Sequence, residues 1–349
     1  MALRSYARVA AVALSLAGCS DGRSPVTADK VLDVPGLRAV VNAVALSPDG
    51  GLVVVGDMDG DLIAREVPAG AERWSVRVHP RGAARSIDGV SFSPDGVLLA
   101  TIGHNARTVE LWEAATGRQA VLLSIGQSRG SAFHPTERAL VVVGGPTIHV
   151  VDLERGEVVR TLPNAHQGQR IDAVAFSGDG RVLATVSDSG GLKLWNWPVL
   201  TLRGSVSMAS SLEAMPPVSL ALNRDGTRAA ANGILGRVHV VDAAKGRQEQ
   251  TFANTAEAPG HGMHAEIRYS LAFTEDGDWL FAPDTHDRGL RILHVPKGKS
   301  FSVLRGEGPF YKAMALALPA SMVALLRPGD PEGRGPYGLE VWRLTYRAK

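Results

Sequence analysis

An all-β chain folded as a ring of seven four-stranded antiparallel sheets is what this sequence predicts, on three observations. A segment of about seven residues recurs seven times at steps of about 41 to 51 residues, the spacing at which small sheets repeat around an axis. Each copy reads as short alternating apolar runs broken by Pro, Asp and Gly, which is the pattern of strands joined by tight turns. The 349 residues include 39 Gly and 20 Pro, which supply the special dihedrals that so many chain reversals require.

The repeat is legible by eye. Val44-Ala45-Leu46-Ser47-Pro48-Asp49-Gly50 returns at Val90–Gly96, Val174–Gly180, Leu220–Gly226 and Leu271–Gly277. Two further copies, Ser131–Glu137 and Ala315–Ser321, have lost the Asp-Gly. In the second copy the runs are Ile87–Phe92, Val97–Ile102, Thr108–Trp112 and Ala120–Ser124, and in the fourth they are Ile171–Phe176, Val182–Val186 and Leu192–Trp195. Four short strands form one blade. A lone blade has nothing to cover its two apolar faces, so siblings must stack around an axis as a seven-bladed β-propeller.

An open edge strand is an aggregation hazard, so the ring must close. After Trp342 and Leu344 only five residues remain, too few for a good fourth strand. Lys30 to Val34, or Leu37 to Val40, precedes the first full copy and is expected to complete the last blade, near Met314 to Leu344.

At Leu111-Trp112-Glu113 with Thr116-Gly117, at Leu194-Trp195-Asn196 and at Val341-Trp342-Arg343, the chain resembles the WD-repeat family, and Val151-Asp152 and Val241-Asp242 match the same place. The resemblance covers about nine tenths of the chain. It implies a protein-binding propeller with these tryptophans packed in the blade cores. No copy keeps an intact Trp-Asp pair, and the Gly-His at the blade entry survives only as His166 and Gly260-His261. The family's buried Asp-His-Ser-Trp network is therefore not expected in most blades.

Residues 1–18 form a different region. Arg4 and Arg8, the apolar run Val9 to Leu16, and small residues before Cys19 read as a secretion signal, too short for a finished span. Leu16-Ala17-Gly18-Cys19 resembles the lipobox of bacterial lipoproteins, which implies acylation of Cys19 and membrane attachment through it. Ser20 to Lys30 reads as a flexible tether, residues 19–30 preceding a propeller over 31–349. The same resemblance to bacterial lipoproteins, in which an Asp directly after the cysteine favours inner-membrane retention, implies the outer membrane if the cell is Gram-negative, since Ser20 holds that place. Cys19 is the sole cysteine, so neither a disulfide framework nor a zinc cluster of cysteines is available. Loss of Arg4 and Arg8 leaves 35 basic against 35 acidic side chains, without the electrostatic footprint of a nucleic-acid binder.

Three apparent chemical motifs have plainer readings. Gly126-Gln127-Ser128-Arg129-Gly130 has the spacing of a serine nucleophile turn but lacks the helix that must follow it. His261, His264 and Glu266, with Asp284, His286 and Asp287, offer metal-ligand types on a Gly- and Pro-flanked loop without a fixed geometry. The Asp-Gly pairs stand between apolar runs, where Asp bonds backbone and Gly accepts positive φ. No catalytic residue, cofactor or metal is expected.

Loops joining blades, and loops joining second to third strands, share one face of such a ring. The polar insertions Asp57, Asp59, His104, Asn105, His166, Arg170, His261, His264, Asp284, His286, Arg288 and Tyr337 fall there. Variable loops on a rigid ring make a binding platform. The expectation is a monomeric, lipid-anchored scaffold of the cell envelope with a protein partner. The competing reading is a lactonase-like metal hydrolase with its ligands at the axial channel, since propellers host both.

Overall fold

The computed structural model describes residues 24–37, 40–78, 86–103, 107–126, 128–208, 217–233, 237–253, 270–284, 289–304, 313–327 and 336–346. Its strands form seven four-stranded antiparallel sheets, and one 3-10 turn, Leu318–Ala320, is the sole helical element among the described residues. Blade 1 comprises Val41–Leu46, Leu52–Asp57, Asp61–Glu66 and Glu72–Arg77, innermost to outermost. Blades 2 to 6 repeat that order. Their innermost strands are Gly89–Phe92, Gly130–Phe133, Ile171–Phe176, Pro217–Leu222 and Ala272–Phe273.

The recurrent Ser-x-Asp-Gly explains why each first strand turns where it does. In blade 1 the Ser47 hydroxyl donates to the Asp49 carboxylate at 2.5 Å and accepts the Leu52 N–H at 2.9 Å, while Asp49 accepts the Gly51 N–H at 3.0 Å. Ser93 with Asp95, Ser177 with Asp179 and Thr274 with Asp276 repeat the arrangement. The Ser47 hydrogen bond, with the Gly51 N–H, holds the Asp49 carboxyl below its usual range. Blade 3 has His134 where blades 1, 2, 4 and 6 have a hydroxyl: Nδ1 accepts the Thr136 and Glu137 N–H groups, which leaves Nε2–H to donate to the Gly180 carbonyl of blade 4 at 3.0 Å. At Gly50 the turn needs both a positive φ of 73° and closeness, because a Cβ there would lie 2.4 Å from Met322 Sδ of blade 7.

Burial follows from the stacking. Seven apolar clusters occur, each fed by two neighbouring blades. Leu52, Val54 and Leu62 of blade 1 meet Ile87, Leu99 and Trp112 of blade 2, and Val182, Leu192 and Leu194 of blade 4 meet Leu220, Leu222 and Ala229 of blade 5. Trp112 and Trp195 are buried in these cores, as the repeat predicts. Trp279 is also core, Trp74 donates to the Ala114 carbonyl of blade 2, and Trp197 donates to the Glu137 carboxylate. Outermost strands carry little of this burden: Glu157–Val159 and Arg247–Glu249 are exposed.

Blade 7 takes Ala313–Ala317, Met322–Arg327 and Tyr337–Tyr346 from the C-terminal region, and its outermost strand, Val26–Leu37, from the N-terminal one. The pairing runs from Val26 opposite Tyr346 to Leu37 opposite Tyr337. Closure by an N-terminal strand is therefore observed, with one correction. The strand begins at Val26, so Val26–Lys30, expected in the tether, pair with Trp342–Tyr346 instead. The reason is packing: Val26 is buried in the cluster between blades 6 and 7, while Leu32 and Leu37 enter the one between blades 7 and 1.

Each innermost strand runs toward the first turn of its blade, so turns joining first to second and third to fourth strands lie on one face, the turn face. Second-to-third connections and those between blades lie on the opposite loop face.

Leu32→Ala is expected to destabilise the protein by about 2–5 kcal/mol, read by denaturant unfolding. Removing residues up to Leu37 is expected to expose the edge of Tyr337–Tyr346 and to yield concentration-dependent self-association in sedimentation.

Candidate partner-binding face

The loop-face residues picked from the sequence divide into three groups. His104, Asn105, His261, His264, His286 and Arg288, like Cys19, lie outside the described residues. Asp57, His166 and Tyr337 belong to the interior and are corrected as contact residues. Asp59, Arg170 and Asp284 remain on the face.

Asp57 is 5% exposed, and its Oδ1 accepts the N–H groups of Asp59 at 2.9 Å and Asp61 at 2.8 Å. Burial raises its pKa and these bonds oppose the rise, so the side chain is committed to fixing the turn. Tyr337 is buried in the core between blades 7 and 1, because it opens the third strand of blade 7 instead of ending a loop.

His166 is 2% exposed, with Nε2 hydrogen-bonded to Thr185 Oγ1 at 2.8 Å, and the same oxygen accepts the Trp195 indole N–H at 2.8 Å. One hydroxyl thus ties the entry loop, the second strand and the third strand of blade 4 together. Burial, helped by the neighbouring Lys193 charge, pushes the His166 pKa down to about 4. Among the described residues no carboxylate bonds to this imidazole. Blade 2 serves its tryptophan differently: Trp112 donates to Thr101, which donates to the buried Glu110. In blade 7 the Trp342 indole donates to Glu340, whose carboxylate lies 3.0 Å from Lys30 Nζ of the closing strand.

On the exposed part of the face, Asp59 tips the blade 1 turn, its carbonyl held by Arg77, which also pairs with Asp61. Arg170 grips Asp172 through two bonds of 2.8 and 3.1 Å and lies 3.9 Å from Asp188, and the Asp172 bond raises its pKa. Asp284 ends the second strand of blade 6, where its charge favours the cation of the buried Arg291.

Sequence reasoning missed an apolar pair beside Asp59. Met58 is 45% exposed and Val40 38%, joined by the Met58 N–H donating to the Val40 carbonyl at 3.0 Å. The available signal was a methionine in Asp57-Met58-Asp59-Gly60, a turn where a polar side chain is ordinary. Near them Asn42 sits at a bulge between Val41 and Ala43, 1% exposed, with neither amide atom hydrogen-bonded among the described residues. On the opposite face the axis opens into a cavity of about 1030 Å³ walled by residues such as Leu46, Phe92, Leu222, Phe273 and Leu316. No group of three or more His, Cys, Asp or Glu gathers as a metal site among the described residues.

Two outcomes follow from His166. Thr185→Ala strands the imidazole and the indole together and is expected to cost about 1–3 kcal/mol in denaturant unfolding, with Thr185→Ser near wild type. A histidine at about 4 when folded and 6.5 when unfolded lets the unfolded chain bind the extra proton between those values. Stability is therefore full above pH 6.5 and falls with pH through that window, by up to about 1.4 kcal/mol per unit. His166→Gln is expected to flatten that part of the curve, measured by melts from pH 4 to 7.5.

Comparison with known proteins agrees with this architecture. The family described as "WD domain, G-beta repeat" matches residues 33–63 and 156–196. Each match starts on an outermost strand and runs through three strands of the next blade, and the second contains His166, Thr185 and Trp195. The chain is 26% identical to Target of rapamycin complex subunit wat1 of Schizosaccharomyces pombe over 31% of its length and 35% of that protein's. It is 30% identical to WD repeat-containing protein SL1-17 of Schistosoma mansoni over 42% and 44%, and 25% identical to human WD repeat-containing protein 55 over 54% and 40%. The chain thus spans well under two thirds of the relatives it matches. The seven-bladed ring and these matches together support a β-propeller built from WD-type repeats.

Proposed function

We propose that this chain is a lipoprotein of the cell envelope, anchored through Cys19, whose propeller holds a protein partner on its loop face. WD-repeat propellers commonly serve as interaction scaffolds, and the sequence relatives carry WD-repeat or transducin beta-like names, none of them that of a lactonase. The observation that carries the reading is the exposed Val40–Met58 pair beside Asp59 on an otherwise rigid ring. Exposed apolar groups flanked by charge are the composition of a protein contact, with a dry centre and a polar rim. The face also presents Arg170, paired on one side with Asp172, as a charged group able to orient a partner. Anchoring rests on Leu16-Ala17-Gly18-Cys19 and the apolar run before it. A lipid on Cys19 confines the ring to a surface and raises its effective concentration toward other envelope proteins.

The test is cross-linking in intact cells followed by identification of what is captured. Met58→Glu is expected to reduce capture of a reproducible partner at least tenfold at unchanged melting temperature. Leu122→Glu, at an exposed position on an outermost strand, is expected to leave it intact. Cys19→Ala is expected to move the protein from the membrane fraction to the soluble one. Equal capture by all variants, or a wild-type protein without an acyl mass on Cys19, overturns the corresponding half of the proposal.

A further inference from the structure

The point at which the chain enters the ring sets which way the ring faces. The closing strand pairs antiparallel with Tyr337–Tyr346, and Val26 lies opposite Tyr346. Tyr346 ends a third strand, and third strands end on the turn face, so the chain enters blade 7 from that face and leaves Leu37 at the loop face. Ser24 is already fastened there: its hydroxyl donates to the Val26 carbonyl at 2.7 Å and accepts the Val26 N–H at 3.2 Å.

From Ser24 back to Cys19 is five residues, which span about 17 Å at full extension. A six-residue strand is about 20 Å long, so the loop face stands about that far above the entry point. A lipid on Cys19 cannot bring the loop face to a bilayer, because the tether would have to climb the full height of the blade and still enter the membrane. The turn face is within reach. It carries an apolar crescent from blade 7 to blade 3: exposed Pro319 in blade 7, half-exposed Pro48 in blade 1, half-exposed Pro94 with Val97, 54% exposed, in blade 2, and half-exposed Pro135 in blade 3. On blades 4, 5 and 6 the corresponding turn positions hold Gly178, Arg224 and Glu275, the last two ion-paired at 2.8 Å.

We propose that the turn face docks on the lipid surface, with Pro48, Pro94, Val97 and Pro319 against the headgroup region, and that the loop face points away from the membrane. The proposal rests on the Cys19 anchor proposed above. Docking leaves Val40, Met58, Asp59 and Arg170 open to partners in the aqueous compartment, and the axial cavity opens toward the lipid. With one short tether and an apolar contact at one side, the ring lies flat or leans on blades 7, 1 and 2.

Because acylation consumes the only native cysteine, an added one can be labelled alone. Val97→Cys and Val199→Cys place a fluorophore on exposed turn-face positions, and Met58→Cys places it on the loop face. The full acylated chain is reconstituted in phosphatidylethanolamine–phosphatidylglycerol vesicles whose acyl chains carry nitroxide. Quenching at Val97 at least threefold stronger than at Met58 is expected, with Val199 between them. Equal quenching, stronger quenching at Met58, or none at any site while the protein floats with the vesicles overturns docking and leaves the anchor standing. Mass spectrometry showing unmodified Cys19, with the protein remaining outside the vesicle fraction, overturns the anchor itself and this inference with it. Melting curves of the three labelled variants verify that each is folded.

Discussion

Each sheet in this ring has two apolar faces and no layer of its own to bury them, so every blade depends on contact with the blades beside it. The seven shared clusters are the physical form of that dependence. Apolar burial contributes roughly 25 cal/mol per Å², and a pair of facing sheets supplies it only when both are present. Two unclosed faces at the junction of blades 7 and 1 would remain exposed in an open arc. The closing strand prevents this by giving Val26 to one flanking cluster and Leu32 and Leu37 to the other. The same dependence explains why Gly50 stands where it does, since blade 7 leans on that turn through Met322.

Polar groups inside such a stack must be satisfied one by one, and the blades do so with different chemistry at equivalent places. Thr185 serves His166 and Trp195, Thr101 with Glu110 serves Trp112, and Glu340 serves Trp342 while meeting Lys30. The last arrangement makes the closing strand partly electrostatic: Lys30 brings a cation to a carboxylate that is 4% exposed on its own strand partner. Its pKa is raised there by the Asp33 and Glu340 hydrogen bonds, which outweigh the opposing effect of burial. Arg327 Nε lies 3.5 Å from the same Glu340 oxygen, so Lys30 shares this carboxylate with a second cation and ties the closing strand to its register.

The ring separates two surfaces of different character. The turn face is made of short reversals, closed in blades 1, 2 and 4 by the same Ser-to-Asp hydrogen bond, and it surrounds one end of the axial opening. The loop face varies from blade to blade, with the Val40–Met58 pair on blade 1 and the Arg170–Asp172–Asp188 group on blade 4. Variable loops held on a rigid ring are the arrangement in which binding surfaces commonly arise.

Blade number, strand order and ring closure were legible in the amino-acid sequence, because they rest on a local pattern repeated seven times. Ser47-Pro48-Asp49-Gly50 closes its turn through its own side chains, and the alternation on either side dictates which residues go inward. Asp59, Arg170 and Asp284 lie at strand ends on the loop face, where the strand order alone puts them. The fates of Asp57, His166 and Tyr337 were not legible, since polarity near a predicted loop says nothing of whether a side chain turns in or out. Only the assembled ring decided that Asp57 caps its own turn, that His166 shares a hydroxyl with Trp195, and that Tyr337 fills the seam with blade 1. The extent of the closing strand was decided there too. Val26 to Lys30 carry no strand pattern strong enough to stand alone, and they are ordered because Tyr337–Tyr346, remote in sequence, offers them an unpaired edge and an apolar seat for Val26.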